Sequence, residues 1–229
     1  MIKEENKKKT IDPAWDKAYK DGWGRKYPSE NLVRFLCRYK KTEDFKKKNK
    51  ILDLGCGSGA NTKMMYEEGY DTYAVDGSIY AVRKAKKFLL NKEVDLKVCD
   101  FSGIDKAYNQ LFFDIICDDV SIYANRINNI KDILKKISLI LKKNGLFYSS
   151  CFSTKTSGFG LGKKLEPGTF TDINKWPFRD RGITHFYTGK ELRRIYGKFF
   201  EIESFDTECY TEFNKQNKVF KFVLICRKK

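Results

Sequence analysis

One short segment, residues 51–60, constrains the fold of this chain more than any other. The apolar run Ile51-Leu52-Asp53-Leu54 is followed at once by glycines at positions 55, 57 and 59. The run predicts a buried parallel strand, and the glycines allow a sharp turn with close backbone approach to a ligand. Residues 60–68 then predict a helix whose free N–H groups and positive dipole end face that turn. The segment therefore predicts a cofactor-binding turn of the doubly wound α/β class.

The glycine spacing bears on which cofactor this turn holds. A dinucleotide site has the pattern G-x-G-x-x-G, whereas this chain has G-x-G-x-G with Asp53 two residues ahead. A second predicted strand, residues 72–76, ends in Asp76. That carboxylate lies roughly 20 residues after the glycines, the separation at which an acid binds both hydroxyls of a ribose. The pattern favours a nucleoside cofactor.

Residues 53–59, Asp-Leu-Gly-Cys-Gly-Ser-Gly, match the first motif of the class I S-adenosylmethionine (SAM)-dependent methyltransferases. The chain resembles this family, with its motifs in the same order, from residue 50 to 146 and more loosely to the C-terminus. Asp76 falls on the ribose-binding acid of that family. The resemblance implies SAM as cofactor and S-adenosylhomocysteine as product. It also implies a Rossmann-like, mostly parallel seven-stranded sheet with a C-terminal antiparallel hairpin, in three αβα layers. A bare Rossmann-like or NAD-binding domain is the alternative.

The resemblance implies cofactor contacts at the ends of four strands. The residues assigned in this way are Asp53, Gly55, Cys56, Gly57, Gly59, Asp76, Gly77, Asp100, Phe101 and Asp118. Asp53 is expected to orient the turn, Asp76 to bind the ribose, and Asp100 to accept the adenine amino group. Asp118 and its neighbour Asp119 end the fourth strand, facing the methionine part and the acceptor. A capping or surface role is the alternative for these acids.

The N-terminal region predicts two helices. Asp12 and Pro13 are typical of a helix start, and the first helix runs to about residue 20. A second helix spans residues 27–38, after a predicted disordered tail at 1–10 and before a polar linker at 40–50. The resemblance implies that such a segment covers the cofactor. Its aromatic side chains are candidates to line the pocket, with packing onto the sheet as the alternative: Trp15, Tyr19, Trp23 and Tyr27.

The rest of the chain alternates predicted strands and helices. Strands are predicted near 50–54, 72–76, 94–99, 112–117 and 145–151, and helices near 60–68, 79–90, 127–142 and 189–197. This alternation indicates a mostly parallel sheet with helices on both faces. Strands at 199–207 and 219–226, around a loop at 208–218, predict the terminal hairpin. We expect a single compact domain, with residues 1–45 as a tail and covering helices and 46–229 as the SAM-binding domain.

Residues 152–188 contain five glycines, many aromatic side chains and little periodicity. Long irregular segments in compact domains are usually functional, so this one is predicted to be a lid that binds the acceptor. Lys163, Arg179 and Arg181 are candidates to bind a carboxylate or phosphate, with solvation as the alternative. His185, the only histidine, is a candidate general base, with a structural hydrogen bond to a backbone group as the alternative. The resemblance places Tyr123 where related enzymes often carry a histidine, making it a second catalytic candidate.

Composition limits the environment and partners of the protein. The start of the chain is polar and no apolar run would span a bilayer, so we expect a cytoplasmic protein with no membrane partner. Seven cysteines without a C-x-x-C pair predict neither a disulfide framework nor a zinc site, and no metal site is expected. The net charge of +16 is dispersed along the chain, which favours a solvated surface while leaving a nucleic-acid partner open.

Three functional hypotheses follow. The first is a methyltransferase acting by in-line displacement on an oxygen or nitrogen of a small molecule, including anionic ones attracted by the basic surface. The second is an RNA or protein methyltransferase, suggested only by charge. Residues 117–120, Cys-Asp-Asp-Val, stand where enzymes that methylate planar amines carry Asn-Pro-Pro-Tyr, which counts against methylation of a base nitrogen. The third is a SAM-binding module without catalysis.

Overall fold

The chain forms a seven-stranded sheet flanked by helices, with a smaller sheet beside it. A computed structural model describes residues 11–42 and 48–229, so the predicted tail at 1–10 and part of the predicted linker at 40–50 lie outside the described residues. The helices are α1 (Pro13–Lys20), α2 (Glu30–Tyr39), α3 (Ala60–Glu67), α4 (Ile79–Phe88), α5 (Ile104–Ala107), α6 (Ile127–Ile140) and α7 (Gly189–Tyr196). The strands are β1 (Lys50–Leu54), β2 (Asp71–Asp76), β3 (Asp95–Val98), β4 (Phe113–Asp119), β5 (Leu141–Phe152), β6 (Lys163–Glu166), β7 (Thr169–Thr171), β8 (Thr184–His185), β9 (Phe200–Glu212) and β10 (Asn217–Lys228).

The large sheet has the strand order β3-β2-β1-β4-β5-β10-β9. Strands β1 to β5 pair in parallel, and β10 is antiparallel to both of its neighbours. This confirms the predicted fold class, a mostly parallel sheet closed by an antiparallel hairpin. The strand order reverses between β1 and β4. In open α/β sheets the ligand crevice lies outside the carboxyl ends of the strands at that point.

Apolar side chains cover both faces of the large sheet. Leu52 of β1 packs in the same cluster as Ile133 of α6, whereas its neighbour Ile51 packs with Phe35 of α2. Successive residues of a strand point to opposite faces, so these two clusters are separate layers. Burial on both faces explains why β1 is a continuous apolar run. Within the described part of the chain, no helix is long and apolar enough to cross a membrane.

The N-terminal helix begins as its sequence predicts, but the C-terminal hairpin is longer than expected. Asp12 caps α1 by accepting a hydrogen bond from the backbone N–H of Ala14 at 2.9 Å. The predicted loop at 208–218 shrinks to four residues because β9 and β10 stay paired as far as Glu212 and Asn217. Positive φ angles at 213–215 turn the chain within this short tip. Its asparagine and lysine residues gave no distinct turn signal.

The region predicted as an irregular lid contains regular structure. Strands β6, β7 and β8 form a three-stranded antiparallel sheet within it. Each strand has only two to four residues, which is too short for an alternating apolar pattern to show. Gly168, with φ of 78°, makes the turn between β6 and β7. The end of the region is tied to the large sheet where the Tyr187 N–H donates to the Phe152 carbonyl at 2.9 Å.

Candidate active site

The glycine turn after β1 is held against the end of β2. The N–H groups of Gly55 and Cys56 both donate to the carbonyl of Val75, at 2.9 Å each. The next glycine N–H, from Gly57, donates to Oδ2 of Asp76 at 2.9 Å. These bonds fix the turn beside the ribose-binding acid that the sequence predicts.

Two positions in this turn require glycine. Gly55 and Gly57 have φ of 75° and 57°, a left-handed conformation that other residues adopt at a cost. A Cβ on Gly55 would lie 2.4 Å from Cβ of Ser121, and a Cβ on Gly57 would lie 2.3 Å from Oη of Tyr19. The absence of both side chains therefore lets α1 and the loop after β4 approach the turn.

Asp76 and Asp100 present fixed carboxylates at the ends of β2 and β3. Asp76 also accepts from the Ser78 N–H at 2.8 Å, while burial raises the pKa of its carboxyl to about 6. Asp100 accepts from the N–H groups of Ser102 and Ile11, both at 2.8 Å. The second bond joins the start of the described chain to the third strand.

A cavity of about 380 Å³ lies over these strand ends. Helix α1 and the segment after it form one wall, and the region between β5 and α7 forms another. Most residues predicted for the site line this cavity: Trp15, Tyr19, Gly55, Cys56, Gly57, Asp76, Gly77, Asp100, Phe101 and Tyr123. The structure therefore brings the strand-end residues and the N-terminal aromatic residues together.

Two predicted cofactor residues lie outside the cavity and have other roles. The Tyr27 side chain is 75% exposed and lines a separate surface groove. A Cβ on Gly59 would lie 3.2 Å from Cβ of Ala85, so this glycine serves the close packing of α3 against α4.

Two buried acids also lie behind the cavity wall. Asp53 accepts from the Thr62 hydroxyl at 2.6 Å, and burial raises its pKa to about 7. Asp118 accepts from the backbone N–H of Ser121 at 2.9 Å and from the hydroxyl of Ser149 at 2.9 Å, and burial raises its pKa to about 6. Asp118 thus shapes the loop after β4 and, although predicted as a cofactor residue, does not line the cavity.

His185, predicted as a candidate general base, lies away from the cavity. The side chain has no exposed surface and does not line the cavity. Its Nδ1 lies 2.7 Å from the Thr169 hydroxyl, and its Nε2 lies 3.5 Å from a carboxylate oxygen of Glu191. These contacts join β8 to β7 and α7, which gives the histidine a structural position.

An ionic network that the sequence did not predict lies at the end of β4. Asp119 lines the cavity, with Oδ2 2.8 Å from Nη2 of Arg25 and 3.2 Å from Nδ2 of Asn61. Its Oδ1 accepts from the Ser150 hydroxyl at 2.9 Å. The pKa of Asp119 lies below its usual value. Burial acts to raise this pKa, but the charge and hydrogen bond of Arg25 lower it and outweigh the effect of burial. No local pattern shows this pairing, since 94 positions separate the acid from the arginine.

The wall opposite the glycine turn is aromatic and cationic. Of the three basic residues considered for anion binding, Arg181 lines the cavity, whereas Arg179 and Lys163 are exposed and do not. The hairpin contributes Tyr210 and Lys221, residues that no motif singled out. The strand pairing that places Lys221 opposite Phe152 of β5 explains their position.

Unpartnered polar atoms in the cavity wall indicate that it receives a polar ligand. Nε1 of Trp15 and Oδ1 of Asn125 are buried and have no hydrogen-bond partner in the described structure. A buried donor or acceptor without a partner is costly, so ligands that supply one are favoured. Together with the glycine turn and the acids Asp76 and Asp100, these atoms fit a nucleoside with an amino-acid part. Within residues 11–42 and 48–229, no group of three or more His, Cys, Asp or Glu residues is placed to hold a metal ion.

Comparisons with known proteins agree with this site. A family model described as a methyltransferase domain matches residues 45–178, more than half of the chain. The chain belongs to this methyltransferase family. It is a class I SAM-dependent methyltransferase, as the turn after β1 and Asp76 indicate, and SAM is its cofactor. No curated protein sequence matches the chain.

Solved methyltransferases share the fold at low sequence identity. A SAM-dependent methyltransferase from Methanosarcina mazei is 21% identical, with a TM-score of 0.70 over 88% of this chain and 98% of its own. The 1,6-didemethyltoxoflavin-N1-methyltransferase of Burkholderia thailandensis, solved with its substrate and S-adenosylhomocysteine, is 18% identical, with a TM-score of 0.67 over 93% of this chain and 84% of its own. A SAM-dependent methyltransferase from Anabaena variabilis is 16% identical, with a TM-score of 0.68 over the whole of both chains.

Proposed function

We propose that this methyltransferase transfers the methyl group to an oxygen or nitrogen of a small molecule. One observation carries the proposal: a single cavity is lined both by the cofactor residues of the strand ends and by residues of the 152–188 region. We infer that this region is the acceptor-binding lid and that residues 11–25 cover the cofactor. The similarity to an enzyme solved with a small substrate supports the same acceptor class.

The residues of the chain have separable tasks in this reaction. When bound, SAM supplies a methyl group on a sulfonium, whose carbon–sulfur bond breaks with its electron pair as the acceptor lone pair forms the new bond. Asp76 and Asp100 would hold the ribose and adenine, and the faces of Trp15 and Tyr19 would stabilise the cation. The lid and the N-terminal segment exclude water and orient the acceptor, which is most of what an activated methyl donor requires.

Cofactor binding is tested first, by titration calorimetry with SAM and with S-adenosylhomocysteine. Asp76→Ala should weaken both by about tenfold or more, since hydrogen bonds to a charged group contribute about 1.5–3 kcal/mol. Asp71→Ala is the matched control, because it removes a carboxylate from the opposite end of the same strand. Unchanged affinity in Asp76→Ala would contradict the assignment of the ribose site.

The acceptor class is tested by transfer of labelled methyl from SAM into a cell extract. Label in molecules that pass a small-pore filter supports a small acceptor. Label retained with protein or RNA would contradict the proposal and favour a macromolecular target, for which the only support is the net charge of +16. Cofactor binding without any label transfer would instead favour a SAM-binding module.

A further inference from the structure

Arg181 is one of three cationic residues that line the described cavity. Its guanidinium lies 5.2 Å from the ring centre of Trp15 and 4.4 Å from that of Trp23. No described acid lies within ion-pair distance of it, whereas the other two cationic groups of the wall are paired, Arg25 with Asp119 and Lys221 with Glu208. A half-buried guanidinium without an acid favours binding of an anion.

The position of Arg181 indicates that this anion belongs to the acceptor. Arg25 is the arginine that adjoins the glycine turn, where its carbonyl accepts from the Ser58 hydroxyl at 2.6 Å. Arg181 instead follows β7 in the lid region, lies against Trp15 and Trp23, and acts by its charge on the phenols of Tyr123 and Tyr19. The unpaired charge is therefore supplied by the region that the proposed function assigns to the acceptor, where it meets the N-terminal segment.

The cavity has aromatic walls as well. Tyr123, Phe152, Trp176 and Tyr210 all line it, and Tyr123, on which the charge of Arg181 acts, meets the ring of Phe152 edge to face with the ring centres 4.9 Å apart. Aromatic walls favour a flat ring, which stacks or packs against them over a large area. An anionic group on such a ring would reach a guanidinium that is itself held against aromatic faces.

The acids and phenols near this wall are poorly suited to remove a proton from the acceptor. Burial raises the pKa values of Tyr123 and Tyr210, so both phenols stay protonated at neutral pH. Asp119 is ionised but pairs with Arg25, and its pKa lies below its usual value. An acceptor oxygen or nitrogen that carries no proton needs no base. Its lone pair bonds to the methyl carbon while the electron pair of the breaking carbon–sulfur bond goes to sulfur.

We propose, building on the function above, that the acceptor is a flat aromatic anion whose negative group binds Arg181. Its nucleophilic oxygen or nitrogen is unprotonated at neutral pH. The chemistry of recognition is a forked guanidinium against a carboxylate or an equally acidic group, beside a ring held by aromatic side chains.

Binding of matched probes tests this inference independently of turnover. The protein saturated with S-adenosylhomocysteine is titrated with three acid and amide pairs whose ring nitrogen is unprotonated at neutral pH: picolinate and picolinamide, nicotinate and nicotinamide, quinaldate and quinaldamide. At least one acid should bind about tenfold more tightly than its amide, the effect of one charge-assisted contact. Arg181→Gln should remove this preference and Arg181→Lys should keep part of it. Arg179→Gln, which removes the same charge from the exposed neighbour two residues earlier, should leave it intact.

Several outcomes would overturn the inference. They are equal binding of every acid and its amide, no binding of any acid, and an unchanged preference in Arg181→Gln. Loss of S-adenosylhomocysteine affinity in Arg181→Gln, with discrimination retained, would assign the guanidinium to the cofactor carboxylate instead. Labelling of a neutral small product in the extract assay would also overturn it while leaving the proposed function standing. Absence of any small labelled product would defeat the proposed function itself.

Discussion

Replacing Asp53 with asparagine should stabilise the cofactor-free protein above neutral pH. The Asp53 carboxyl is 1% exposed, and burial raises its pKa from 3.8 to about 7. A shift of about three units at about 1.4 kcal/mol each corresponds to about 4 kcal/mol. The folded state binds a proton at Asp53 more tightly than the unfolded state does. The contribution of this proton to the free energy of unfolding is therefore fully present below about pH 4 and is lost as pH rises through about 7.

The amide that Asp53→Asn introduces has no charge to bury, and its oxygen can still accept the Thr62 hydroxyl. The variant and the parent should therefore have similar free energies of unfolding near about pH 4. Near about pH 8 the free energy of unfolding of the variant should be larger by up to about 4 kcal/mol. Urea unfolding across this pH range, followed by tryptophan fluorescence, measures the difference. A variant less stable than the parent near about pH 8, or a difference that does not change with pH, would refute the reasoning.

The carboxylate at the end of the neighbouring strand should behave in the opposite way. Although burial acts on Asp119 too, Arg25 lowers its pKa, so its contribution is present above the unfolded pKa and is lost as pH falls. Asp119→Asn should therefore destabilise the protein at neutral pH, because it leaves Arg25 without its partner, and this loss should shrink in acid. The same pH trend in both variants would contradict the assigned electrostatics.

Three further substitutions test the site. Gly57→Ala adds backbone strain of about 1–2 kcal/mol and displaces Tyr19, so it should weaken SAM binding in calorimetry. Gly69→Ala is the control: it adds the same kind of strain but has no neighbour within 4 Å, so SAM binding should be unchanged. His185→Gln should lower the melting temperature through a lost buried hydrogen bond of about 1–3 kcal/mol, with kcat/KM kept within about twofold; a fall in kcat alone would restore the histidine as a catalytic candidate. Tyr123→Phe should reduce kcat/KM less than about tenfold, because the raised pKa of this phenol makes it unsuited to act as a base. A loss of about a hundredfold or more, the contribution of general base catalysis, would contradict this.

The cofactor half of the site was predictable because its signals are local. The turn with Gly55 and Gly57 follows β1 directly, and Asp76 and Asp100 end the next two strands. Parallel strands place their carboxyl ends at one edge, so a correct strand assignment brings these residues together without further information. Asp119 lines the cavity and Asp118 does not. Adjacent strand residues point to opposite faces, and the sequence does not tell which of the two neighbouring acids faces the crevice.

The part of the cavity that we propose for the acceptor was not predictable from such signals. Arg25, Arg181 and Lys221 come from the segment after α1, the lid region and β10, and no sequence spacing relates them. Lys221 reaches the cavity only because β10 lies between β5 and β9, an order that appears in the sheet and not in the chain. His185 is the opposite case. Its chemistry suits a general base, but β8 places it where it is fully buried and away from the cavity.

The two halves of the site are joined by the first described residues of the chain. The N–H of Ile11 donates to Asp100 after β3, and Oδ2 of Asp12 accepts from the N–H of Ile183 in the 152–188 region at 2.8 Å. The side chain of Asp12 also caps α1, the helix that carries Trp15 and Tyr19 over the glycine turn. The position of α1 over the turn and its attachment to the segment that carries Arg181 therefore depend on the same few hydrogen bonds. The cavity wall is complete only with the N-terminal segment in place, and no local sequence pattern links that segment to its partners at 100 and 183.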